Sequence, residues 1–191
     1  TIGIFGESGS GKSTFVNLLI GLLKPDKGEI LINDKNINSN IYLWRKNIGY
    51  VPQNIFLIDD TFKKNISLNF DSKKENLERL NECLKQSELE KFISSLPNGI
   101  DTIVGERGSR ISGGQLQRVG IARALYNNPE ILIFDESTSA LDRETELEIF
   151  KNIYKFKDRK TLIIITHKKE LLKDCDKIYK LENGKFLVNE K

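Results

Sequence analysis

The chain contains a glycine-rich segment close to its start, Gly6-Glu7-Ser8-Gly9-Ser10-Gly11-Lys12-Ser13-Thr14. The segment fits the pattern of glycine, four residues, and then Gly-Lys-Ser/Thr. A β-branched run at 1–5 predicts a buried strand before it, and apolar residues at helical spacing over 13–23 predict a helix after it. Such a loop lets backbone N–H groups surround phosphate oxygens at a helix N-terminus. We therefore predict that residues 6–14 bind phosphate, with Lys12 on the terminal phosphates and the Ser13 hydroxyl on Mg²⁺.

A second motif supplies two neighbouring carboxylates. The apolar run 131–134 predicts a buried strand, and it ends in Asp135 and Glu136. Many strands end in solvated acids, but beside a phosphate-binding loop these two residues have a more specific interpretation. Asp135 is expected to hold the hydration shell of Mg²⁺, and Glu136 to orient or deprotonate an attacking water. The two motifs together predict a P-loop nucleoside triphosphatase.

A third motif opens the predicted helix 112–127, with the sequence Ile111-Ser112-Gly113-Gly114-Gln115. Ser112 alone could be an ordinary N-cap. Two glycines in the first turn cost a helix about 1 kcal/mol each relative to alanine, so we expect another group, such as a phosphate, to approach this backbone closely. The segment resembles the Leu-Ser-Gly-Gly-Gln signature of the ATP-binding cassette (ABC) family. Ile111 replaces the leucine, an apolar exchange that we expect to be harmless.

The resemblance extends over nearly the whole chain and implies roles for three further residues. Gln53 follows a predicted strand and matches the family's Q-loop glutamine, which touches Mg²⁺ and the transmembrane partner. His167 follows the apolar run 162–165 and matches the switch histidine, which lies beside the γ-phosphate. Asp142 ends the segment Ser-Ala-Leu-Asp at 139–142, which matches the D-loop, and it could also serve as a helix N-cap.

The family resemblance also implies the partners and cofactors. ATP and Mg²⁺ bind between two such domains, so that the P-loop of one domain faces the signature of the other. The chain would thus form a head-to-tail homodimer, beside a transmembrane domain, with no nucleic acid expected. The resemblance assigns nucleotide binding, in addition to residues 6–14, to Ser112, Gly113, Gly114, Gln115 and Asp142. It assigns catalysis to Glu136, His167 and Gln53, and Mg²⁺ to Ser13, Gln53 and Asp135.

One segment bears on the direction of transport. Residues 102–108 resemble the X-loop of exporter-type cassettes, whose acidic residue, here Glu106, contacts intracellular loops of the transmembrane domain. In isolation the segment would also suit a charged surface turn. The resemblance favours the ATPase of an exporter at the cytoplasmic face of a bacterial inner membrane. Its substrate is left open among lipid-linked saccharides, lipids, peptides and drugs.

Three alternatives stay open at this point. An importer subunit should lack the X-loop pattern. An ABC ATPase acting on DNA or ribosomes tends to carry a coiled coil or two cassettes, whereas Lys12 and Ser112 are only about a hundred residues apart. A binding module without enzymatic activity would not need Lys12, Asp135, Glu136 and His167 together.

The composition agrees with an α/β domain. The 191 residues are 38% hydrophobic and 30% charged, with a net charge of +3, which excludes a wholly disordered chain and demands no nucleic acid. Cys83 and Cys175 lie far apart, which favours a reducing compartment. The expected fold is a P-loop (RecA-like) core with a mostly parallel sheet, from 1–53 and 128–191. A helical subdomain is inserted at 54–127, beside a partial antiparallel β-subdomain.

The start of the sequence differs from the family pattern. Family cassettes begin with extra strands, one of which carries the A-loop aromatic residue that stacks on adenine. This sequence starts at the P-loop strand, with Thr1 in place of Met. We therefore expect a soluble piece of a longer polypeptide, without the A-loop and the transmembrane domain, that alone binds ATP weakly.

Overall fold

Short strands alternate with helices along the chain, of which the computed structural model describes residues 1–69, 76–104, 111–138 and 141–189. The strands are β1 (Ile2–Phe5), β2 (Leu31–Ile32), β3 (Lys35–Asn36), β4 (Ile48–Val51), β5 (Asp60–Thr61), β6 (Ile103–Val104), β7 (Ile131–Asp135), β8 (Thr161–Thr166), β9 (Lys177–Glu182) and β10 (Lys185–Asn189). The α-helices are α1 (Lys12–Leu19), α2 (Ile41–Lys46), α3 (Phe62–Ser67), α4 (Leu77–Gln86), α5 (Glu90–Ser94), α6 (Gly113–Tyr126) and α7 (Arg143–Tyr154).

The central sheet has the strand order β10-β9-β1-β8-β7-β4 over the described residues. Every neighbouring pair is parallel except β9 and β10, which form an antiparallel hairpin. The mostly parallel sheet is therefore confirmed. Ile4 lies opposite Ile165, and Phe134 lies opposite Ile164. Because parallel strands end at the same edge, the segments that follow β1, β7 and β8 come together there.

Helices cover both faces of the sheet. Successive side chains of a strand point to opposite faces. On one face Phe134 and Ile164 pack with residues from α3, α4, α6 and α7. On the other face Ile133 and Ile163 pack with α1 and α2, where Trp44 is also buried. The continuous apolar strands are thus explained by burial on both sides.

Two predicted helices differ in detail from the structure. The helix predicted at 13–23 ends at Leu19, because Gly21 takes a φ of 74° and the N–H of Leu22 bonds to the carbonyl of Asn17 at 2.8 Å. This is the glycine-terminated helix end described as a Schellman motif. Helical spacing within 142–156 predicts one apolar face formed by Leu147, Phe150, Ile153 and Tyr154, but the Leu147 side chain is 49% exposed.

The segment 29–34 differs in detail from what its sequence indicates. Its apolar residues predict a strand that leads into an Asn/Asp turn, whereas the structure has a two-residue strand, β2, which pairs with β3 across a turn at Asn33 and Asp34. Positive φ values of 49° and 61° at these two residues suit such a tight turn. In the predicted helical region Leu80, Leu84 and Leu89 are buried, although the division of the chain at 54–127 stays a prediction. No helix in the described ranges is long and apolar enough to cross a membrane.

Candidate functional site

The glycine-rich loop lies between β1 and α1, at the edge of the sheet where the parallel strands end. Gly9 and Gly11 have φ values of 80° and 105°, and Gly11 caps the N-terminus of α1. Both dihedrals fall in the left-handed region that favours glycine. At Gly6 the constraint is space, because a Cβ atom there would lie 2.4 Å from the carbonyl oxygen of Leu181. The predicted strand, loop and helix are therefore all present, and each of these glycines has a local reason.

Lys12 lies at the centre of this loop and is only 7% exposed. Its Nζ atom donates hydrogen bonds to the carbonyl oxygens of Gly6 and Glu7, both at 2.9 Å. The same atom lies 3.2 Å from Oε1 of Glu136. A buried ammonium needs such partners, because burying a charge is costly unless it is paired. The loop thus folds around a positive charge that is already oriented.

The carboxylate of Glu136 is the point where distant segments meet. Its Oε2 atom accepts a hydrogen bond from Nε2 of Gln53 at 3.4 Å and lies 4.0 Å from Nδ1 of His167. Glu136 itself has a φ of 45°, and its N–H donates to the carbonyl of Ile165 at 2.8 Å. This backbone bond fixes the residue after β7 to the end of β8. The structure therefore brings Lys12, Gln53, Glu136 and His167 together, while their roles in binding and catalysis stay predictions.

Asp135 has a partner that the sequence analysis missed. The hydroxyl of Tyr50 donates a hydrogen bond to Oδ2 of Asp135 at 3.1 Å. Burial raises the pKa of Asp135 above its ordinary value, an effect that the Tyr50 hydrogen bond opposes. Burial, and then the Asp135 charge, raise the pKa of Tyr50, so the phenol stays a donor. The contact depends on β4 lying directly beside β7, for which the sequence carries no local signal.

These residues surround an open cleft of about 610 Å³, called here the P-loop cleft. It is lined by Ser8, Gly9, Gly11, Lys12, Ser13, Thr14, Gln53, Glu136 and His167. The signature residues and Asp142 are absent from this lining. That separation is compatible with the expected head-to-tail pairing, which stays a prediction.

Ser112 begins the signature helix α6 with a reciprocal cap. The N–H of Gln115 donates to the Ser112 hydroxyl at 3.2 Å, and the N–H of Ser112 donates to Oε1 of Gln115 at 2.9 Å. This arrangement is a capping box, which satisfies two backbone donors at the start of the helix. Gln115 is therefore occupied with its own helix in this structure.

The two signature glycines pack against the start of α7. A Cβ atom at Gly114 would lie 2.8 Å from the methyl group of Thr145, and one at Gly113 would lie 3.0 Å from Cδ2 of Leu141. From the sequence alone, both glycines predict the close approach of a phosphate. The structure supplies a reason within the chain, because only glycine lets α6 approach α7 this closely. Binding of a phosphate at this position stays a prediction.

Gly114→Ala should therefore destabilise the chain, and Thr145→Ser should reverse much of the effect. The new methyl meets a β-branched side chain that has little freedom to move, so we expect a loss of about 1–3 kcal/mol in the free energy of unfolding. Serine at 145 lacks that methyl and keeps the backbone N–H. Denaturant unfolding of both single variants and the double variant measures this. Equal destabilisation of Gly114→Ala in both backgrounds would show that the Thr145 methyl is not the obstacle.

Other predicted elements lie partly outside the described residues. Residues 105–108 of the X-loop, including Glu106, and the D-loop residues Ser139 and Ala140 are outside them. Asp142 is described and caps α7, because its carboxylate accepts the N–H of Thr145 at 3.0 Å. That backbone hydrogen bond lowers the pKa of Asp142.

The comparisons with known proteins agree with this geometry. The model of the family described as ABC transporter matches residues 1–139. The leukotoxin translocation ATP-binding protein LktB of Mannheimia haemolytica is 42% identical over 191 residues, which is 100% of this chain and 27% of that protein. The ABC transporter ATM1 of Toxoplasma gondii is 40% identical over 186 residues, covering 97% of this chain and 16% of that protein.

A solved structure is similar over the same range. The structure of a bacterial Atm1-family ABC exporter with ATP bound aligns with a TM-score of 0.85 and 39% identity. The alignment covers 97% of this chain and 33% of that chain. This chain therefore spans about a third or less of the relatives that it matches. With 139 of 191 residues in the family match, the chain belongs to the ABC transporter family.

Proposed function

We propose that this chain binds ATP together with Mg²⁺ and hydrolyses it, as the ATP-binding domain of an exporter. The observation that carries the proposal is the environment of the Glu136 carboxylate. Lys12, Gln53 and His167 all lie within 4.0 Å of it, although the three residues come from three separate parts of the sequence. A phosphate-binding lysine, a carboxylate and a histidine at the mouth of a P-loop support phosphoryl transfer to water.

Each of these residues has a separate role in the proposed reaction. Lys12 and the backbone N–H groups of the loop bind the β- and γ-phosphates. A water oxygen then forms a bond to the γ-phosphorus, and the bond from that phosphorus to the β–γ bridging oxygen breaks. Glu136 accepts a proton from the water. His167, whose side chain is 47% exposed at the cleft, donates a hydrogen bond to the γ-phosphate.

The pairing of Lys12 with Glu136 bears on when the base is available. The lysine ammonium lies 3.2 Å from the Glu136 carboxylate. Phosphate oxygens compete for the same ammonium, so ATP binding would release Glu136. The carboxylate becomes available as a base only when its substrate is present.

The donor set fits Mg²⁺. Within the described residues no cluster of three or more His, Cys, Asp or Glu could hold a metal ion. Ser13, Gln53 and Asp135 instead offer a hydroxyl, an amide oxygen and a carboxylate. Mg²⁺ prefers oxygen ligands and is often held by one or two carboxylates together with substrate phosphates. When bound, the ion would neutralise charge on the phosphate oxygens.

The exporter role and its partners rest on the relatives and on two exposed apolar side chains. The name of LktB contains the word translocation, and the similar solved structure is an exporter, which favours export over import. Phe56 is 82% exposed and Ile103 is 57% exposed. Arg123 fixes the Phe56 segment by donating to its carbonyl oxygen at 2.9 Å. We propose that these exposed apolar side chains contact a transmembrane domain, and that a second copy completes the ATP site.

The function is tested by phosphate release in the intact protein. We expect release from ATP to require Mg²⁺ and to fall to background with a chelator. Tyr50→Phe should raise the Mg²⁺ concentration for half-maximal rate about tenfold or more, because a hydrogen bond to a charged group contributes about 1.5–3 kcal/mol. The lost bond also raises the pKa of Asp135 further.

Two results would contradict the proposal. Phosphate release that is unaffected by the chelator would remove Mg²⁺ from the reaction. An unchanged Mg²⁺ requirement in Tyr50→Phe would remove Asp135 from the metal site. Tyr42→Phe is the matched control, because the Tyr42 side chain is 65% exposed and lies outside the lining of the P-loop cleft.

A further inference from the structure

A buried carboxylate lies behind the P-loop cleft. Glu146, in the first turn of α7, is 3% exposed. Its Oε1 atom accepts hydrogen bonds from the Thr138 hydroxyl and from Nζ of Lys168, both at 2.9 Å. Its Oε2 atom accepts from the same Nζ at 2.8 Å. We call Thr138, Glu146 and Lys168 the α7 triad.

The α7 triad joins the three segments that carry proposed functional residues. Thr138 follows Glu136 by two residues, in the segment after β7. Lys168 is the residue after His167, in the segment after β8, and its N–H donates to the Thr166 hydroxyl at 3.0 Å. The N–H of Glu146 donates to the carbonyl of Asp142, the cap of α7, at 3.0 Å. One carboxylate therefore links both catalytic segments to the D-loop side of the domain.

None of the three residues lines the P-loop cleft. The Glu146 side chain is inaccessible, and Thr138 is 3% exposed. The Lys168 side chain is 28% exposed, but its Nζ atom is bonded to both carboxylate oxygens of Glu146. Since none of the three faces the P-loop cleft, we expect their effect on the reaction to pass through the positions of Glu136 and His167.

Stability alone is a weak reason for such a pair. Removing two charges from water is costly, and well-packed apolar residues of similar volume often replace a buried ion pair at no loss of stability. Loss of one partner is different, because it leaves an uncompensated buried charge. What an apolar pair cannot supply is a set of directional hydrogen bonds to two loops at once.

We infer that Glu146 and Lys168 are positioning residues for the hydrolysis reaction, an inference that rests on the proposed function. Their ion pair fixes the segment of His167 relative to α7, and the Thr138 hydrogen bond fixes the segment of Glu136 to the same point. A shift of about 1 Å in reacting groups can cost on the order of 100-fold in rate. Both catalytic side chains lie on loops whose positions this triad sets.

The experiment compares kcat and KM for ATP in variants of the intact protein. Glu146→Gln keeps the shape and can still accept from Thr138, but it removes the charge. Lys168→Met keeps the length and removes the ammonium. We expect each to lower kcat by about 10–100-fold with KM changed by less than about threefold, because the phosphate-binding loop is untouched. Lys168→Arg should retain most of kcat, since it keeps a cationic donor.

A double variant separates positioning from stability. Glu146→Met with Lys168→Met removes both charges and fills the site with apolar side chains. We expect it to recover the melting temperature lost by the single variants, while kcat stays low. Glu144→Gln and Lys173→Met are matched controls at exposed positions, and both should behave as wild type.

Several outcomes would overturn the inference. Recovery of kcat together with the melting temperature in the double variant would make the pair structural only. Unchanged kcat in both single variants would show that the loops do not depend on it. Absence of hydrolysis in the wild type and in both controls would overturn the proposed function itself, and the positioning role with it.

Discussion

Replacing Glu136 by glutamine is expected to stop ATP turnover while ATP remains bound. The amide keeps the size of the side chain but cannot accept a proton from water. General-base catalysis contributes about 10²–10⁴ in rate, so we expect the rate of phosphate release to fall by at least about 100-fold. Single-turnover phosphate release in the intact protein measures this directly.

The same variant should bind ATP more tightly than the wild type does. The Lys12 ammonium, which lies 3.2 Å from the Glu136 carboxylate, no longer pairs with an anion in the free protein. It is then fully available to the phosphates, and the repulsion between Glu136 and the γ-phosphate is also gone. Calorimetric titration with Mg²⁺-ATP should show tighter binding than in the wild type.

Glu144→Gln serves as the matched control for this variant, because Glu144 is an exposed acid at the start of α7. It should leave both turnover and affinity unchanged. Turnover of Glu136→Gln close to that of the wild type would remove Glu136 from its proposed role. Weaker ATP binding in this variant would contradict the competition between Glu136 and the phosphates for Lys12.

The sequence predicted the edge of the sheet where the candidate site forms. Short apolar strands buried on both faces indicate parallel pairing, and parallel strands end at one edge. Gly6, Asp135 and His167 each follow or end such a strand, so their convergence could be expected without coordinates. Local patterns were sufficient here because a strand's end is a local property.

Contacts that depend on register between distant strands could not be predicted. The bond from Tyr50 to Asp135 requires β4 to lie beside β7, with Tyr50 directly opposite Ile133. The sequence separation of 85 residues leaves no periodic signal for it. The α7 triad has the same origin, since Glu146 and Lys168 meet only when α7 packs near the end of β8.

The orientation of α7 shows the limit of helical periodicity. Helical spacing predicts that Leu147 is buried, yet it is exposed, whereas the charged Glu146 beside it is buried. Neighbouring residues on a helix point about 100° apart. The spacing of apolar residues therefore does not determine which residues at the edge of the apolar face are buried. At the border of α7, the ion pair with Lys168 compensates the burial of the carboxylate.

The signature glycines show that a motif can be recognised from the sequence while the structural reason for its residues is predicted only in part. The pair Gly113 and Gly114 indicated close approach of another group, and the structure contains such an approach, by Leu141 and Thr145 of the same chain. The sequence does not distinguish a neighbouring side chain of the same chain from a ligand, because close approach by either one requires a glycine without a Cβ atom.

Lys12→Met is expected to remove ATP binding rather than turnover alone. Hydrogen bonds to charged groups contribute about 1.5–3 kcal/mol each, so the loss of the ammonium from the β- and γ-phosphates should weaken ATP at least about 100-fold. Methionine keeps the unbranched, apolar stem of the side chain. Calorimetric titration with Mg²⁺-ATP measures the loss, and Lys27→Met, at an exposed turn position, should bind as the wild type does.

The Lys12 variant also has a structural cost that must be separated from binding. It leaves the carbonyl oxygens of Gly6 and Glu7 without their donor, and it leaves the Glu136 carboxylate without its nearest cation. Combining Lys12→Met with Glu136→Gln removes the uncompensated charge, so the melting temperature should recover in part. ATP binding should not recover, because the phosphates still lack their ammonium. If the double variant binds ATP as the wild type does, the effect of Lys12 acts through folding, and the lysine is not the phosphate ligand.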